Sequence, residues 1–468
     1  MPSHNETTQT AIALRDYQQA LIQGIYEAWK SNPRVLAQLP TGGGKTLIFA
    51  AIANEFARRS ERVLVLAHRE ELILQAASKL TAIANVPVGI VKAGYDLNPL
   101  FPIQVASVQS MVNRLRYFED FSLLITDEAH HSPAATYRKI MGGYPNAYQL
   151  GVTATPIRTD GTGFDDLFDA LVTGPTVGEL IKAGHLSPFK LYADSNPMST
   201  KGVKTVAGDF SSSDIAKSND VVKLSGNLID SYRRYCHGKS CLIFAVNVNH
   251  SMAIARRYNV EGIPAIHLDG ETPSEVRKEA LRRFSVGEIK VISNCSLFGE
   301  GLDIPSIDAV QIARPTKSLS LWLQMVGRAL RPAQGKDLAI LLDHTNNWLY
   351  HGLPTRRRLW TLEGCQQDEE KLERLPSGEV GIKTVEVEEA IAELVEVKED
   401  EEDDWANFYR DLVATQTARK YHPGWIYHKL AEVKPPLRIW LEYARYRGYK
   451  SSWAKYRYEE QQEETTAA

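Results

Sequence analysis

Cysteine is scarce in this chain, with only Cys236, Cys241, Cys295 and Cys365 among 468 residues. Four are too few for a disulfide-stapled scaffold, and no two form a C-x-x-C pair, so a cysteine zinc site is not expected either. Long apolar runs are missing as well. No stretch of about 18 apolar residues occurs, which excludes an ordinary transmembrane helix. The opening MPSHNETTQTAIALRD has neither the basic start nor the apolar middle of a signal peptide. The expectation is a protein of the reducing cytoplasm with no membrane partner. Net charge is also small, at −3, but that figure averages two opposed regions. Residues 361–404 hold 17 acidic and 4 basic side chains, a net of −13. Residues 405–458 hold 11 basic and 3 acidic, a net of +8. A reversal this sharp reads as an acidic linker followed by a module suited to a polyanion.

What is present points to an α/β protein. The length exceeds one ordinary core and predicts two domains plus a tail. Short apolar runs fit strands at 35–38, 63–67, 103–106, 122–126 and 149–153, then at 241–245, 265–268, 290–293, 309–312 and 338–342. Helical patterns separate them, the alternation of a doubly wound parallel sheet. A Gly/Ser/Lys/Asp-rich stretch at 195–220 reads as a connector. The chain accordingly divides into domains at 1–192 and 193–360, an acidic linker at 361–404 and a C-terminal module at 405–468. Chemistry is expected in the cleft between the two sheets.

Three consecutive glycines, Gly42, Gly43 and Gly44, lie between Thr41 and Lys45-Thr46, after a strand and before a helix. Such a turn curls backbone N–H groups around a phosphate chain, and the helix N-terminus adds a positive dipole end. Lys45 would reach the β- and γ-phosphates of ATP and Thr46 would offer its hydroxyl to Mg²⁺. Leu39 stands where the general pattern has a first glycine. Asp127-Glu128-Ala129-His130 follows the apolar strand. Asp127 would hold Mg²⁺ and Glu128 would orient and deprotonate the attacking water. His130 either couples the site to the other domain or caps a loop. Upstream, Gln18 in Leu14-Arg15-Asp16-Tyr17-Gln18 offers a donor and an acceptor to an adenine edge, or is an exposed helical glutamine. In the second half, Gln324-Met325-Val326-Gly327-Arg328-Ala329-Leu330-Arg331 spaces two arginines three apart, expected on one helical face. A guanidinium facing a γ-phosphate in transfer would act as an arginine finger. Asp303, in Gly301-Leu302-Asp303-Ile304-Pro305, would contact the ribose or the finger.

In this order the segments resemble the motif series of superfamily 2 helicases of the DEAD/DEAH type, over residues 14–343. Gln18 and its neighbour Arg15 match the adenine-reading segment, 41–46 motif I, and Asp127–His130 motif II. His68 and Arg69 fall in a match to motif Ia, and Ser107 and Gln109 in one to motif Ib. Thr153-Ala154-Thr155-Pro156 resembles motif III, 301–305 motif V, and 324–331 motif VI. The form of motif III is closest to the RadD-like and type III restriction-enzyme helicase-subunit families, although the cysteine-rich zinc region of RadD is absent. The resemblance implies two tandem RecA-like parallel-sheet domains of the P-loop NTPase class, with a small, mostly helical C-terminal module. It implies an ATP hydrolase that translocates on or unwinds DNA in repair, recombination or replication, using ATP and Mg²⁺. Motifs Ia, Ib, V and IV, the last including Asn247, would supply the strand contacts. An RNA helicase, or a motor subunit of a restriction or defence complex, remains an alternative, and DNA is favoured over RNA.

The tail repeats itself. The frame Arg-x-Tyr-x-x-x-Trp-x-x-x-Lys/Arg occurs from Arg419 and again from Arg447, offset by 28 residues. Each unit reads as a turn leading into a helix. Trp425 and Trp453 would either stack on bases among the cations or pack as the core of a small helical domain. The module is also a possible docking point for a protein partner.

Overall fold

In the computed structural model, the described residues are 13–364, 394–397 and 401–467, except 85, 130–133, 159–160, 195–199, 201, 207, 217–219, 296, 298–306 and 423. His130, the loop holding Asp303 and most of the acidic linker therefore lie outside the described residues. Two units result: residues 1–354 with 360–397, and residues 355–359 with 398–468.

The first unit contains two seven-stranded sheets. The first sheet has β1 (Arg34–Gln38), β2 (Val63–Ala67), β3 (Val88–Val91), β4 (Ile103–Ser107), β5 (Leu123–Asp127), β6 (Tyr148–Thr153) and β7 (Ala170–Thr173). Their order is β3-β4-β2-β5-β6-β1-β7 and every pairing is parallel. β2 and β5 are buried at every position. They therefore read as unbroken apolar runs, because helices cover both faces. On one face α1 (Asp16–Trp29), α2 (Lys45–Arg58) and α3 (Glu70–Ala84) bury Leu21, Ile25, Phe49, Ile52 and Ile73 against the sheet. On the other, α4 (Val108–Met111) and α5 (Ala134–Gly142) contribute Met111, Tyr137 and Ile140 beside Phe164 and Phe168.

After α6 (Val177–Lys182), the second sheet begins with β8 (Phe189–Asp194). A short hairpin follows, β9 (Thr205–Val206) and β10 (Asp209–Phe210), then α7 (Ser212–Ala216) and α8 (Asp220–Tyr235). The rest alternates: β11 (Cys241–Ala245), α9 (Val248–Val260), β12 (Ala265–Leu268), α10 (Ser274–Ser285), β13 (Val291–Asn294), β14 (Ala309–Ala313), α11 (Leu319–Gly327), β15 (Ala339–Asp343) and α12 (Asn347–His351). The order is β12-β13-β11-β14-β15-β8-β16, and among this sheet's described strands only β16 (Leu394–Val397) runs antiparallel to its neighbour.

Two expected boundaries move. The break at 192/193 falls inside β8, which pairs with β15 of the second sheet. The Gly/Ser-rich stretch drew the boundary too late, because one strand of the second lobe precedes it. The expected linker also does part of the sheet's work. β16 extends the edge at β8. Trp360 packs on the second lobe's core and Leu362 on the first lobe's, while the Leu362 carbonyl accepts from Asp165 N–H at 3.0 Å.

The second unit is a four-helix module with helices Glu401–Ala418, Gly424–Val433, Leu437–Arg447 and Ser451–Ala467. Its first helix thus starts four residues before the expected 405. Phe408, Leu412, Ile426, Leu430, Ile439, Trp440, Tyr443 and Ala454 form its core. Residues 355–359 belong to it: Leu359 packs on this core and Arg357 N–H donates to Asp404 at 2.8 Å. The 28-residue sequence repeat is a structural repeat. Each half is a helix, a left-handed residue (Lys420 at φ 54°, Gly448 at φ 71°) and a second helix. Equivalent bonds close both turns, from Tyr421 N–H to Gln416 O and from Tyr449 N–H to Ala444 O.

Candidate nucleotide-hydrolysis cleft

β1 delivers residues 39–44 to the carboxyl edge of the first sheet, and α2 begins at Lys45. Gly44 is the N-cap of α2 at φ 88°, a left-handed conformation that side chains resist. A Cβ there would also run into the Gln18 amide. Leu39 is buried and sits under Gly43, so the residue that replaces the pattern's first glycine is a packing residue beneath the loop. Gln18 is buried with both ends of its amide engaged. Its Oε1 accepts from Arg15 N–H at 3.0 Å, and its Nε2 donates to Gly43 O at 3.1 Å. Tyr17 Oη donates to the same carbonyl at 2.8 Å. In this arrangement Gln18, the expected adenine reader, also braces the loop's curl, and Arg15 is the cap residue before α1.

Asp127 ends β5 and Glu128 turns away from it at φ 48°. A left-handed glutamate costs on the order of 1–3 kcal/mol, and such residues concentrate where function demands an exact side-chain direction. Glu128 N–H donates to Asp127 Oδ1 at 3.1 Å, and Lys45 Nζ stands 3.7 Å from Glu128 Oε1. Lys45, Asp127 and Glu128 therefore converge, although they are far apart in sequence. Burial first, and the neighbouring Glu128 charge second, push the Asp127 carboxyl up to about 7. Two adjacent buried carboxylates sharing one ammonium are short of positive charge, so the pair fits a divalent cation. No cluster of three or more His, Cys, Asp or Glu able to hold a metal occurs among the described residues. Mg²⁺ needs none, since it typically takes one or two carboxylates and completes its shell with phosphate and water.

A stability test follows. A carboxyl whose folded pKa is raised binds its proton more tightly when folded, so stability falls as pH rises from the ordinary range near 4 to about 7. Asp127→Asn removes that penalty. Without metal, the variant should be more stable than wild type at pH 8, on the order of 1 kcal/mol or more, with no gain at pH 4. Melting curves across that range decide it; a variant less stable at pH 8 than wild type contradicts the assignment.

The second lobe reaches this cleft through α11, capped by Ser318. Thr155, in the Thr-Ala-Thr-Pro segment, and Ser320 join their hydroxyls across the lobes at 2.6 Å, both fully or nearly buried. Gln324 Nε2 donates to the same Ser320 hydroxyl at 3.4 Å. Nothing in the sequence marked Ser320, since a serine in an apolar helix has no motif signal. Gly327 lies so close to the phosphate loop that a Cβ on it would stand 2.7 Å from Thr41 Cβ. A Cβ on Gly42 would lie 3.6 Å from Arg331 Cγ. Arg328 is buried at 4% exposure just after Gly327. The expectation that Arg328 and Arg331 share an α-helical face is corrected. The α-helix ends at Gly327, and residues 328–330 donate to carbonyls three back. That tighter winding has three residues per turn, so positions three apart still eclipse. Gly327 beside Thr41 and Arg331 beside Gly42 thus bring this end of α11 up to the phosphate loop.

The expected strand-contacting residues fall at the carboxyl ends of β2, β4 and β11, where parallel sheets place ligands. Several have structural partners. Arg69 donates to Leu297 O of the other lobe at 3.3 Å, beside an ion pair between Glu71 and Arg277. His68 precedes it in the same turn. Ser107 caps α4, accepting from Ser110 N–H at 3.3 Å, and donates to Gln109 Oε1 at 3.1 Å. Asn247 caps α9, accepting from His250 N–H at 2.8 Å. Trp425 and Trp453 pack on the core of the C-terminal module. Trp425 lies 4.9 Å from Tyr421 and Trp453 4.9 Å from Tyr449, the same pair in each repeat. Trp453 also meets Trp440 and Tyr443. Trp453→Ala should therefore lower the melting temperature of the full chain by the equivalent of about 3–5 kcal/mol in the module; an unchanged melting profile contradicts this.

Comparisons agree with this architecture. The family described as "Type III restriction enzyme, res subunit" matches residues 11–158, and "Helicase conserved C-terminal domain" matches 224–333. A 51.5 kDa protein of Lactococcus phage (isolate 7-9) is 34% identical over 328 residues, covering 69% of this chain and 68% of that protein. IRC3 of Saccharomyces cerevisiae, which bears the name of an ATP-dependent helicase, is 31% identical over 355 residues. That match covers 71% of this chain but 52% of IRC3, so the chain spans about half of that relative. The DNA 3'-5' translocase XPB2 of Sulfurisphaera tokodaii is 27% identical, covering 74% of this chain and 85% of XPB2. Among solved structures, a fragment from a type I restriction enzyme of Vibrio vulnificus YJ016 shares the fold. Its TM-score is 0.57 at 22% identity, over 75% of this chain and 68% of that one. In the described residues, no helix is long and apolar enough to cross a membrane.

Proposed function

Since the chain belongs to the superfamily 2 helicases related to type III restriction-enzyme subunits, and so is an ATP-hydrolysing helicase, we propose that its track is DNA and that ATP turnover in the cleft drives movement along it. The observation that carries the mechanism is the seating of Gly327 and Arg331 of the second lobe on Thr41 and Gly42 of the phosphate loop. A nucleotide bound there is gripped from both lobes. Lys45 and the N-terminus of α2 hold the β- and γ-phosphates. Asp127 and Thr46 would hold Mg²⁺, which supplies charge neutralisation on the phosphates. Glu128 takes a proton from the attacking water, and Arg328 meets the charge that grows on the transferred phosphoryl group.

Loss of the γ-phosphate removes what both lobes hold. The Thr155–Ser320 bond then links the state of the first lobe's cleft wall to α11 of the second. Two lobes that alternate between gripping and releasing would advance a strand lying across their carboxyl edges. The similarity to a protein named as a DNA translocase supports DNA as the track. A titration of ATPase rate against single-stranded, duplex and forked DNA and against RNA tests it. Stimulation by DNA above RNA is expected; stimulation by RNA alone overturns the choice of track.

A further inference from the structure

The tryptophans of the module are occupied in packing, which moves the question of what the net +8 of residues 405–458 is for to another surface; the acidic ends of the first and last helices balance it over 401–467 as a whole. Between the first helix (Glu401–Ala418) and the third (Leu437–Arg447) runs an open groove. Val413 and Ala414 give it an apolar floor, Arg410 and Arg445 stand on opposite helices, and Tyr446, 45% exposed, forms a wall with Glu442. Tyr409 lines it too. It is 7% exposed, and its hydroxyl has no hydrogen-bond partner although the charge of Glu442 and the hydroxyls of Tyr446 and Tyr443 lie close enough to act on it. A buried hydroxyl left unpaired is costly, and replacing it by hydrogen is nearly free of penalty, so a fold that keeps it needs another reason. The wall is rigidly held: Tyr446 Oη donates to Gln416 at 3.0 Å, and Gln416 in turn donates to Tyr421 O at 2.7 Å in the first repeat's turn.

We propose that this groove binds a single-stranded nucleic acid, one nucleotide seated against Tyr446 and its flanking phosphates held by Arg410 and Arg445. The inference rests on the helicase reading above and adds a second contact outside the ATPase lobes. The chemistry matches part by part. An aromatic face and an apolar floor suit a base, whatever its identity. Two guanidiniums on facing helices suit successive phosphates. The Tyr409 hydroxyl donates to an oxygen of the ligand, and Glu442 can accept from an exocyclic amine. At the groove itself two arginines, Arg410 and Arg445, stand against the single carboxylate of Glu442, a local excess of positive charge that suits a chain of phosphates.

The test uses the full chain and a fluorescently labelled oligothymidylate of about 20 nucleotides, by anisotropy at several salt concentrations. Tyr446→Ala should weaken binding about fivefold to a hundredfold, and Tyr446→Phe, which keeps the ring, should bind nearly as wild type. Arg410→Gln with Arg445→Gln should flatten the slope of log affinity on log salt by about 1.4, at about 0.7 per phosphate contact on a single strand. Tyr409→Phe should weaken binding a few-fold with a melting temperature equal to or above wild type, a split that a structural role for the hydroxyl would not give. Wild-type binding with Tyr446→Ala, the double arginine variant and Tyr409→Phe all equal to it overturns the groove and leaves the DNA reading standing. Absence of binding by wild type overturns both.

Discussion

Glu128→Gln should bind ATP as tightly as wild type and turn it over about 10²–10⁴-fold more slowly. The amide keeps the size and the hydrogen-bonding shape of the carboxylate but cannot accept the water's proton. The backbone at φ 48° will direct the amide to the same place, so position is held while basicity is lost. Lys45→Ala should give a different failure. It removes the cation 3.7 Å from Glu128 and leaves two adjacent buried carboxylates with no ammonium between them. ATP affinity should fall along with turnover, because the same ammonium neutralises the β- and γ-phosphates. Equilibrium binding of a fluorescent ATP analogue, alongside steady-state hydrolysis, separates the two. Turnover within a few-fold of wild type in both variants would remove Lys45 and Glu128 from the chemistry.

Those residues were legible because phosphate chemistry dictates local sequence. A glycine-rich turn between strand and helix, and acids at a strand's carboxyl end, can be read without knowing the neighbours. The same holds for the strands: all ten expected runs appear within one residue of their observed positions, since strands covered on both faces are unbroken apolar runs. What escaped was half-buried or formed by partners distant in the chain. β3 and β7 at the sheet's margins are only partly buried and carry weak apolar signals. β8 sits ahead of the connector yet belongs to the far sheet. β16 lies in a stretch whose acidity reads as a spacer. Ser320 acquires its meaning only from Thr155, 165 positions away. Gln18 shows the reverse difficulty. Its capacity to donate and accept was evident, but which backbone groups would use it was set by the packing of α1 beneath the phosphate loop. The tail's aromatic repeat was visible as a pattern. Its geometry, two helix–turn–helix halves each with a Tyr–Trp pair at 4.9 Å, explains the spacing as a packing requirement.

Arg328→Ala should lower the maximal turnover rate by about 10³-fold or more while ATP affinity changes little. Arg328 follows the glycine that touches Thr41, so the approach of Gly327 sets its backbone beside that contact. Truncation therefore leaves the cleft's closure in place and removes charge only where it matters most, on the phosphoryl oxygens as the bond to the leaving group breaks. Arg328→Lys tests the geometry. An ammonium keeps the charge but not the planar fork, so it should recover only a small part of the rate. Gly327→Val supplies the contrast, since a side chain there collides with Thr41 and holds the lobes apart. Both nucleotide affinity and rate should then fall, because the grip from the second lobe is lost before chemistry begins. A maximal rate unchanged in Arg328→Ala, with weaker ATP binding alone, would make Arg328 a ground-state ligand and leave Arg331, beside Gly42, as the residue that meets the transferring phosphate.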